Sequence, residues 1–432
     1  MATIVIVGGG FAGVAVARRL ERRLHPGEAE IVLISRENYS LFTPMLPEVT
    51  SGELEVRHVV TPIRTQLNRT QFVLADVDEF DVERRTVTYH DVLTGEAHVQ
   101  HYDQLALALG SSTSTFGLPG IAENTWALKT LDDADALRNQ LVMMLELADT
   151  IDDRAQRAHL LTMVVVGGGF TGVETAGEVN EFFRSVLRLY KRLSFDEVKM
   201  ILVEAGPTLL AGLPPKMGEY SQRILQRRGV EVILGDGVAR AEEHGLTLQS
   251  GRHILSETIV WSAGVKPSPS IEKTSLPVTK RGAVETGRDM RVASASSIWA
   301  LGDCAAIPDG HGGLFPMTAQ HAIREGPWLA DNIVAVLRGK APKPFNYRSL
   351  GMMAALGGRK AVAQLPGNLV ITGFLAWFFW RTYYLLRLPG LDRKLRVAFD
   401  WTLELIFPRD TAELRFGERE RVERREEIHR RS

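Results

Sequence analysis

Two glycine-rich turns with the spacing G-x-G-x-x-G are the residues of this chain best suited to bind a dinucleotide. They are Gly8, Gly10 and Gly13 in "IVIVGGGFAGV", and Gly167, Gly169 and Gly172 in "VVVGGGFTGVE". The first glycine permits the tight turn, the second lets backbone approach a pyrophosphate, and the third lets helix pack on strand. The helix that follows offers free N–H groups to the phosphates. Two copies predict two dinucleotide sites.

Each turn stands between a predicted strand and a predicted helix. Residues 2–7 form a short apolar strand, and "EIVLIS" at 30–35 predicts the next parallel strand. "LTMVVV" repeats this strand before the second turn, a long amphipathic helix is predicted over 173–193, and "KMILVEA" at 199–205 closes the unit. The sequence therefore predicts an α/β fold with two Rossmann-type domains.

Four further stretches predict elements that flank these units. Residues 85–92 and 245–251 alternate in the manner of antiparallel hairpins lying beside the sheets. Residues 133–161 predict one helix leading into the second unit. The apolar run at 296–306 predicts a strand that ends in Gly302-Asp303.

The second strand of each unit indicates which nucleotide it binds. Glu204 ends "ILVE", where a carboxylate accepts hydrogen bonds from ribose hydroxyls. The following "AGPTLLAGLPP" contains no Arg or Lys to meet a 2′-phosphate, which favours NADH over NADPH. The first unit has Ser35 at this position, followed by Arg36 and Glu37. Either Glu37 replaces the acid that usually binds the adenosine ribose, or the Ser35 hydroxyl binds this ribose instead.

Composition excludes several classes of protein. The chain has 432 residues, 45% of them apolar, and a formal net charge of −1. This length predicts two to three domains, and the near-neutral charge argues against a nucleic-acid binder. The single cysteine, Cys304, excludes an intramolecular disulfide, a redox dithiol and a Cys-rich metal site, and no metal site is predicted.

The character of the chain changes after about residue 341. The segment 369–388 is aromatic-rich but contains Arg381, so it suits an interfacial anchor better than a spanning helix. Residues 397–407 form a second amphipathic piece. A core helix covering a dimer interface and a spanning helix remain as alternatives. The last 16 residues, 417–432, are mostly charged and predict a solvated end.

The ordered motifs of the chain resemble those of the type II NADH:quinone oxidoreductases, the single-subunit NADH dehydrogenases that do not pump protons. The resemblance covers nearly the whole chain up to the charged tail. It rests on the two glycine turns and on "NYSLFTPMLPEVTSG", "ILVEAGPTLL", "IVWSAGVKPSP", "IWALGDCAAI" and "AQHAIREG". It implies a disulfide-reductase-like flavoprotein fold with a C-terminal membrane-associated helical segment. We expect an FAD-binding domain at 1–115 and 281–340, an NADH-binding domain at 116–280, and a membrane-anchoring region with the charged tail at 341–432.

The resemblance also implies roles for particular residues. Asp303 resembles the acid that hydrogen-bonds the ribityl chain of FAD, Thr43 and Pro44 flank the isoalloxazine, and Leu109-Gly110 packs on FAD. Gly264, in "IVWSAGVKPSP", is implied to bind cofactor. Glu174, in the first turn of its helix, is implied to lie near nicotinamide and flavin as a proton-relay group. Gln320 is implied to place the quinone beside the flavin ring.

The reaction implied is hydride transfer from NADH to FAD, followed by transfer of two electrons to a membrane quinone. We expect a homodimer bound peripherally to the cytoplasmic side of the cell membrane through C-terminal amphipathic helices. Deletion from about residue 369 is expected to release the protein from membranes while keeping FAD and NADH-to-dye activity. Two alternatives stay open: a soluble reductase of an iron–sulfur protein, and an NADH-sensing flavoprotein that regulates a partner.

Overall fold

The computed structural model describes residues 1–412. In chain order the strands are β1 (Ala2–Val7), β2 (Ala29–Ser35), β3 (Tyr39–Leu41), β4 (Val60–Pro62), β5 (Gln71–Asp81), β6 (Thr86–Asp91), β7 (Ala97–His101), β8 (Gln104–Leu107), β9 (Ser111–Thr113), β10 (Trp126–Ala127), β11 (Thr162–Val166), β12 (Lys199–Glu204), β13 (Val230–Leu234), β14 (Val238–Glu242), β15 (Gly245–Leu248), β16 (His253–Leu255), β17 (Thr258–Trp261), β18 (Val265–Pro267), β19 (Val284–Glu285), β20 (Arg291–Val292), β21 (Ala295–Ala300), β22 (Ala305–Ala306), β23 (Met352–Ala355), β24 (Ala361–Leu365) and β25 (Leu369–Gly373).

The helices connect and cover these strands. They are α1 (Phe11–Arg23), α2 (Leu46–Thr50), α3 (Ile121–Asn124), α4 (Leu131–Thr150), α5 (Arg154–Arg157), α6 (Phe170–Val186), α7 (Pro215–Arg227), α8 (Ala319–Leu337), α9 (Phe374–Arg387) and α10 (Leu391–Leu403).

The first sheet combines strands from two distant parts of the chain. Its order is β20-β21-β8-β1-β2-β5-β6-β7, and β1 pairs in parallel with both β2 and β8. The predicted first βαβ unit is therefore confirmed. The predicted hairpin at 85–92 is β6, which pairs antiparallel with β5 and β7. It extends this sheet instead of lying beside it.

The second sheet has the order β10-β17-β11-β12-β13 and is parallel throughout. This arrangement confirms the second βαβ unit. The helix predicted over 173–193 is α6, which ends at Val186 and passes into a 3-10 turn at Leu187–Leu189. Twelve of its 17 residues are buried because it packs against other elements as well as its sheet. The predicted helix is therefore confirmed, but it ends earlier than predicted and is mostly buried.

The helix predicted over 133–161 is interrupted. Thr130 and Asp133 form a capping box at the start of α4, which ends at Thr150. Asp153 then accepts a hydrogen bond from the Ala155 N–H and begins the short α5. A side-chain cap of this kind offers the backbone an alternative to continuing the helix.

The segment 369–388, predicted to be an interfacial anchor, is not one continuous helix. Residues Leu369–Gly373 form β25, which pairs antiparallel with β24, and only then does α9 begin. Gly373 makes this change of direction at φ 76°. Within residues 1–412, none of the helices combines the length and the apolar character needed to cross a membrane. The charged tail at 417–432 lies outside the described residues.

Candidate active site

The first glycine turn has the shape that a pyrophosphate requires. Gly8 adopts φ 113°, and a Cβ atom there would overlap the Ala108 carbonyl oxygen. A Cβ atom at Gly13 would overlap the Gly8 carbonyl, because α1 packs closely on β1. Gly10, in contrast, has nothing within 4 Å of the position of a Cβ atom. No side chain caps the N-terminus of α1, and its first turn contains no acid. Open space therefore faces free N–H donors.

The second glycine turn repeats this geometry. Gly167 adopts φ 111°, and a Cβ atom there would lie 2.7 Å from Ala263 Cα. A Cβ atom at Gly172 would overlap the Gly167 carbonyl, whereas Gly169 again faces open space. The N-terminus of α6 also has no side-chain cap and no acid in its first turn. Both turns fit a dinucleotide.

A cavity of about 890 Å³ connects the two units with the C-terminal segment. The residues that line it come from all three parts of the chain. They include Thr43, Pro44, Asp303 and Gln320 from the first part, Gly169, Glu174 and Gly264 from the second, and Phe379, Tyr383, Tyr384 and Arg387 from α9.

Asp303 sits at the wall of this cavity in a small polar group. The turn at Leu109-Gly110, with Gly110 at φ 68°, brings Ser111 next to it. Ser111 Oγ donates to Asp303 Oδ2 over 2.6 Å, and Lys129 Nζ donates to Ser111 Oγ over 2.7 Å. Lys129 Nζ lies 3.8 Å from the Asp303 carboxylate. An acid and an ammonium group are therefore both available to polar groups of a bound cofactor.

Glu204 and Ser35 occupy equivalent places beside the two glycine turns. Glu204 Oε2 accepts from the Gly168 N–H at 2.5 Å, and Oε1 accepts from the Gly206 N–H at 2.6 Å. Ser35 Oγ would lie 2.6 Å from a Cβ atom at Gly9, so it packs against the first turn in the same way. The side chains of Arg36 and Glu37 are exposed. The backbone bonds hold the Glu204 carboxylate beside the second glycine turn.

Glu174 is buried at the cavity wall, as the fifth residue of α6 and just beyond the first turn in which it was predicted. Its Oε1 accepts two hydrogen bonds of 3.0 Å, from the Ala355 N–H and from Trp380 Nε1. Burial raises the pKa of Glu174 to about 8, although the two hydrogen bonds stabilise the ionised form and so act to lower this pKa. The carboxyl group is therefore largely protonated at neutral pH. Tyr384, which also lines the cavity, is half-buried on α9, and desolvation raises its pKa well above the usual value.

Three more carboxyl groups are buried near Glu174, and the C-terminal segment supplies their partners. Glu48 Oε1 accepts from Trp401 Nε1 over 3.2 Å. The other two acids, Glu53 and Glu178, each contact Arg409 Nη2 at 3.1 Å. Arg381 Nη2 adds a contact of 2.8 Å to Glu53 Oε1. The segment predicted to be only an anchor thus completes the wall of the site.

Gln320 lines the cavity, but its carboxamide is already engaged. Its Oε1 accepts from Tyr347 Oη at 2.8 Å, from the Leu350 N–H at 3.0 Å and from Ser349 Oγ at 3.2 Å. Its Nε2 donates to the Gly351 carbonyl over 2.9 Å. The second N–H of this amide has no partner among residues 1–412, and the main effect of the side chain is to hold the loop at 347–351 against α8.

Substitution Gln320→Leu is expected to slow quinone reduction about tenfold while leaving anaerobic reduction by NADH nearly unchanged. Each hydrogen bond lost costs about 0.5–1.5 kcal/mol, and the loop that faces the cavity is freed. Rapid-mixing kinetics of the two half-reactions measure this directly. Ser349→Ala removes only one donor to Gln320 and should have a smaller effect. Loss of NADH reduction with quinone reduction intact would place Gln320 on the other side of the site.

Cys304 takes no part in the chemistry. It is fully buried, and its thiol donates to the carbonyl groups of Leu301 and Leu107. Burial raises the pKa of this thiol to about 12. A thiol that stays protonated and inaccessible is neither a nucleophile nor a redox group.

Comparison with known proteins identifies the family. Residues 2–326 match the pyridine nucleotide-disulphide oxidoreductase family, and residues 350–410 match the NDH2 C-terminal domain. The type II NADH:quinone oxidoreductase Ndh of Mycobacterium tuberculosis is 32% identical over 421 residues, which cover 94% of this chain and 88% of that relative. The chain belongs to the type II NADH:quinone oxidoreductases.

Other relatives agree with this family. A probable NADH dehydrogenase of Dictyostelium discoideum is 31% identical and covers 94% of this chain and 90% of its own. The structure of NDH2 from Plasmodium falciparum in complex with NADH has a TM-score of 0.88 at 20% identity, over 95% of this chain and 99% of that one. The predicted resemblance and the flavoprotein fold with two Rossmann-type domains are confirmed.

Several groups at the site were not predicted from the sequence. Lys129 carries no pattern in its surroundings that marks it. Glu178 did carry a signal, because it follows the predicted Glu174 by four residues and so shares one face of its helix. Glu48 and Glu53 are likewise acids within an apolar stretch. Arg409 follows the predicted second amphipathic piece, and nothing in its neighbourhood indicates burial.

Proposed function

We propose that this protein is an FAD-dependent NADH:quinone oxidoreductase that does not pump protons. The observation that carries the proposal is the common cavity, which is lined by the second glycine turn, by Asp303 and by the aromatic side chains of α9. Its family is that of type II NADH:quinone oxidoreductases, and the two turns leave open space for two dinucleotides.

FAD would be held by the first unit. Gly8, Gly10 and Gly13 and the N-terminus of α1 would receive its pyrophosphate, and Asp303 with Lys129 would contact the ribityl chain. Thr43 and Pro44 would flank its ring. Ser35 and Glu37 would serve the adenosine ribose, with Arg36 and Leu109-Gly110 alongside. FAD, when bound, accepts a hydride from NADH and passes two electrons to the quinone.

NADH would be held by the second unit, through Gly167, Gly169, Gly172, Gly264 and Glu204. Glu204 should repel a 2′-phosphate, and no neighbouring base offsets this. NADPH is therefore expected to be a clearly poorer donor than NADH. Glu204→Gln should reduce the preference for NADH, measured as the ratio of the two kcat/KM values, by about tenfold, which corresponds to roughly 1.4 kcal/mol. The measurement is kcat/KM for both donors in both proteins. Equal values in the unaltered protein would show that Glu204 is not at the ribose.

The quinone would enter from the side of α9. Phe379 both lines the cavity and is 49% exposed, among other exposed apolar residues of this helix. On α10, Leu391, Leu395 and Phe399 form an exposed stripe at intervals of four residues. An apolar surface of this kind fits a membrane interface, and α9 and α10 also carry the basic residues Arg387, Arg393, Lys394 and Arg396. We place the protein peripherally on the cytoplasmic side of the cell membrane, as a homodimer.

The membrane contact can be tested without removing any buried residue. The triple variant Leu391→Ser, Leu395→Ser and Phe399→Ser should lower binding to anionic lipid vesicles by at least tenfold, because about 0.8 kcal/mol is lost for each buried CH₂. Sedimentation with vesicles measures it, and the visible spectrum of FAD checks that the fold is kept. Unchanged vesicle binding would contradict the interfacial role. A change in oligomeric state instead would assign this stripe to the dimer interface.

The reaction is tested by the visible spectrum of the purified protein. The oxidised flavin bands should be present, should bleach on anaerobic addition of NADH, and should return on addition of a quinone. A colourless folded protein that takes up no FAD would refute the proposal. Bleaching that only an iron–sulfur protein reverses would indicate a soluble reductase. Bleaching with negligible turnover by any acceptor would indicate a regulatory NADH sensor.

A further inference from the structure

Glu53 and Glu178 form a buried carboxyl pair behind the cavity. They are 8% and 7% exposed, and each has a carboxylate oxygen 3.1 Å from the same nitrogen, Arg409 Nη2. Two carboxylates buried this close together repel each other, which favours a proton on the pair. Arg409, 5% exposed, reaches both acids with one nitrogen and donates from Nη1 to the Glu178 carbonyl at 3.0 Å.

The charges around the pair do not balance if every acid is ionised. Three further acids lie beside the pair: Glu48, Glu174 and Glu404. The nearby cations are Arg381 and Arg409, with Arg228 close to Glu178. Arg228 is itself paired with Glu181. Glu48 Oε2 is buried with no hydrogen-bond partner, which favours its protonated form. Among residues 1–412, the cluster therefore has two cations, Arg381 and Arg409, for five acids, which favours protons on some of the acids.

We propose that the Glu53–Glu178 pair is the proton reservoir for the quinone half-reaction, with Arg409 as the positioning residue that holds it together. The inference rests on the proposed function. Glu178 lies one helical turn from Glu174, which reaches the cavity. At the other end, Arg409 Nη2 lies 3.4 Å from Glu404, whose side chain is 27% exposed. The cluster therefore extends from solvent to the cavity wall.

The reservoir matches the proton demand of the reaction. Quinone takes up two electrons and two protons to become quinol, whereas NADH supplies two electrons and one proton as a hydride. One further proton must reach a quinone oxygen. Glu174 would give this proton, the Glu53–Glu178 pair would return one to Glu174, and solvent at Glu404 would refill the pair. No other oxidant or reductant is needed.

The test compares Glu178→Gln, Arg409→Gln and Arg409→Lys in the full-length, FAD-loaded protein. Glu178→Gln keeps the shape of the side chain but removes the shared proton. We expect quinone reduction to slow about tenfold or more, since proton transfer by a placed group contributes roughly 10²–10⁴-fold. Reduction by NADH should be unchanged. The infrared band of buried protonated carboxyl groups should lose the contribution of this pair and keep the contribution of Glu174 and Glu48.

Arg409→Gln should shift the pH dependence, and this separates positioning from simple structural support. Burial and the neighbouring acids raise the pKa of Glu53 to about 7, while Arg409 opposes them. Quinone reduction should fall as pH rises through this region, because the pair loses its proton. Without Arg409 the pair holds its proton more tightly, so the fall should move to higher pH and the rate at neutral pH should drop. Arg409→Lys should restore the original profile.

Arg138→Gln is the matched control. Arg138 is 8% exposed and contacts Asp410, next to Arg409, but none of the acids in the cluster. It should leave rates, infrared band and pH profile unchanged. If Glu178→Gln keeps the whole carboxyl band and the pH profile, the reservoir is refuted. An unaltered protein that NADH reduces but quinone does not reoxidise would refute the proposed function itself, before any variant is made.

Discussion

A chain carrying Gly169→Val is expected to fold, to retain FAD, and to lose its reduction by NADH. Gly169 faces open space in the second glycine turn, so the added side chain meets no protein atom within 4 Å of its Cβ position. Its φ of −73° is also allowed for any residue. The added methyl groups instead fill the place where backbone must approach a pyrophosphate. Crowding of this place is expected to cost about 1–3 kcal/mol of binding free energy, which lowers the affinity for NADH roughly five- to a hundredfold.

The reciprocal variant is Gly10→Val in the first turn, where the same space is open. It should lose FAD while retaining binding of NADH, measured by fluorescence titration with the nucleotide. Flavin content and the rate of anaerobic bleaching by NADH complete the comparison. A Gly169→Val protein that is reduced by NADH as fast as the original would show that the second turn does not hold this nucleotide.

Deletion of residues 369–432 is expected to lower the free energy of unfolding and to release FAD, contrary to the separable anchor expected from the sequence. The deletion removes Trp380 and Trp401, which are 2% and 6% exposed. Loss of one such side chain costs roughly 3–5 kcal/mol. The deletion also removes Arg381 and Arg409, the cations that contact Glu53 and Glu178. It removes β25 from the three-stranded sheet of β23, β24 and β25. Denaturant unfolding followed by circular dichroism measures the difference.

A chain that ends at Ala412 serves as the control, because it keeps every element between β1 and α10. It should unfold at the same denaturant concentration as the full chain and retain FAD. If the protein lacking 369–432 is as stable as this control and keeps its flavin, the C-terminal segment is an appendage. In that case the contacts of this segment with the buried acids would contribute little to the free energy of unfolding.

The elements around the two glycine turns could be predicted from the sequence because their signals are local. A short apolar strand, a turn with fixed spacing and an apolar helix lie within 30 residues of one another, and each constrains the next. The strands after them, ending at Ser35 and Glu204, were found for the same reason. Boundaries failed where a side chain formed a cap, as Asp153 does, or where a strand partner was distant, as for β25.

The partners of the buried acids could not be predicted because they depend on contacts between distant residues. Trp380 donates to Glu174 across 206 residues, and Trp401 donates to Glu48 across 353. An aromatic residue near the end of the chain gives no sign of which carboxyl group it will meet. The same side chains also suit a membrane interface, and α9 uses both properties. Trp380 is buried, while Phe378 on the same helix is 54% exposed.

The position of Arg409 near the end of the chain has a consequence for biosynthesis. Glu53 leaves the ribosome 356 residues before the arginine that neutralises it, which is about 20–70 s at roughly 5–20 residues per second. During this interval the first glycine turn and its strands can form, but the acid pair has no counter-charge. Nascent chains, and chains that terminate early, would therefore carry an open, hydrated acid cluster where the finished protein has a closed wall. Translation past Arg409 is then a requirement for closing the wall, and products that end before this residue should be preferred substrates for proteolysis.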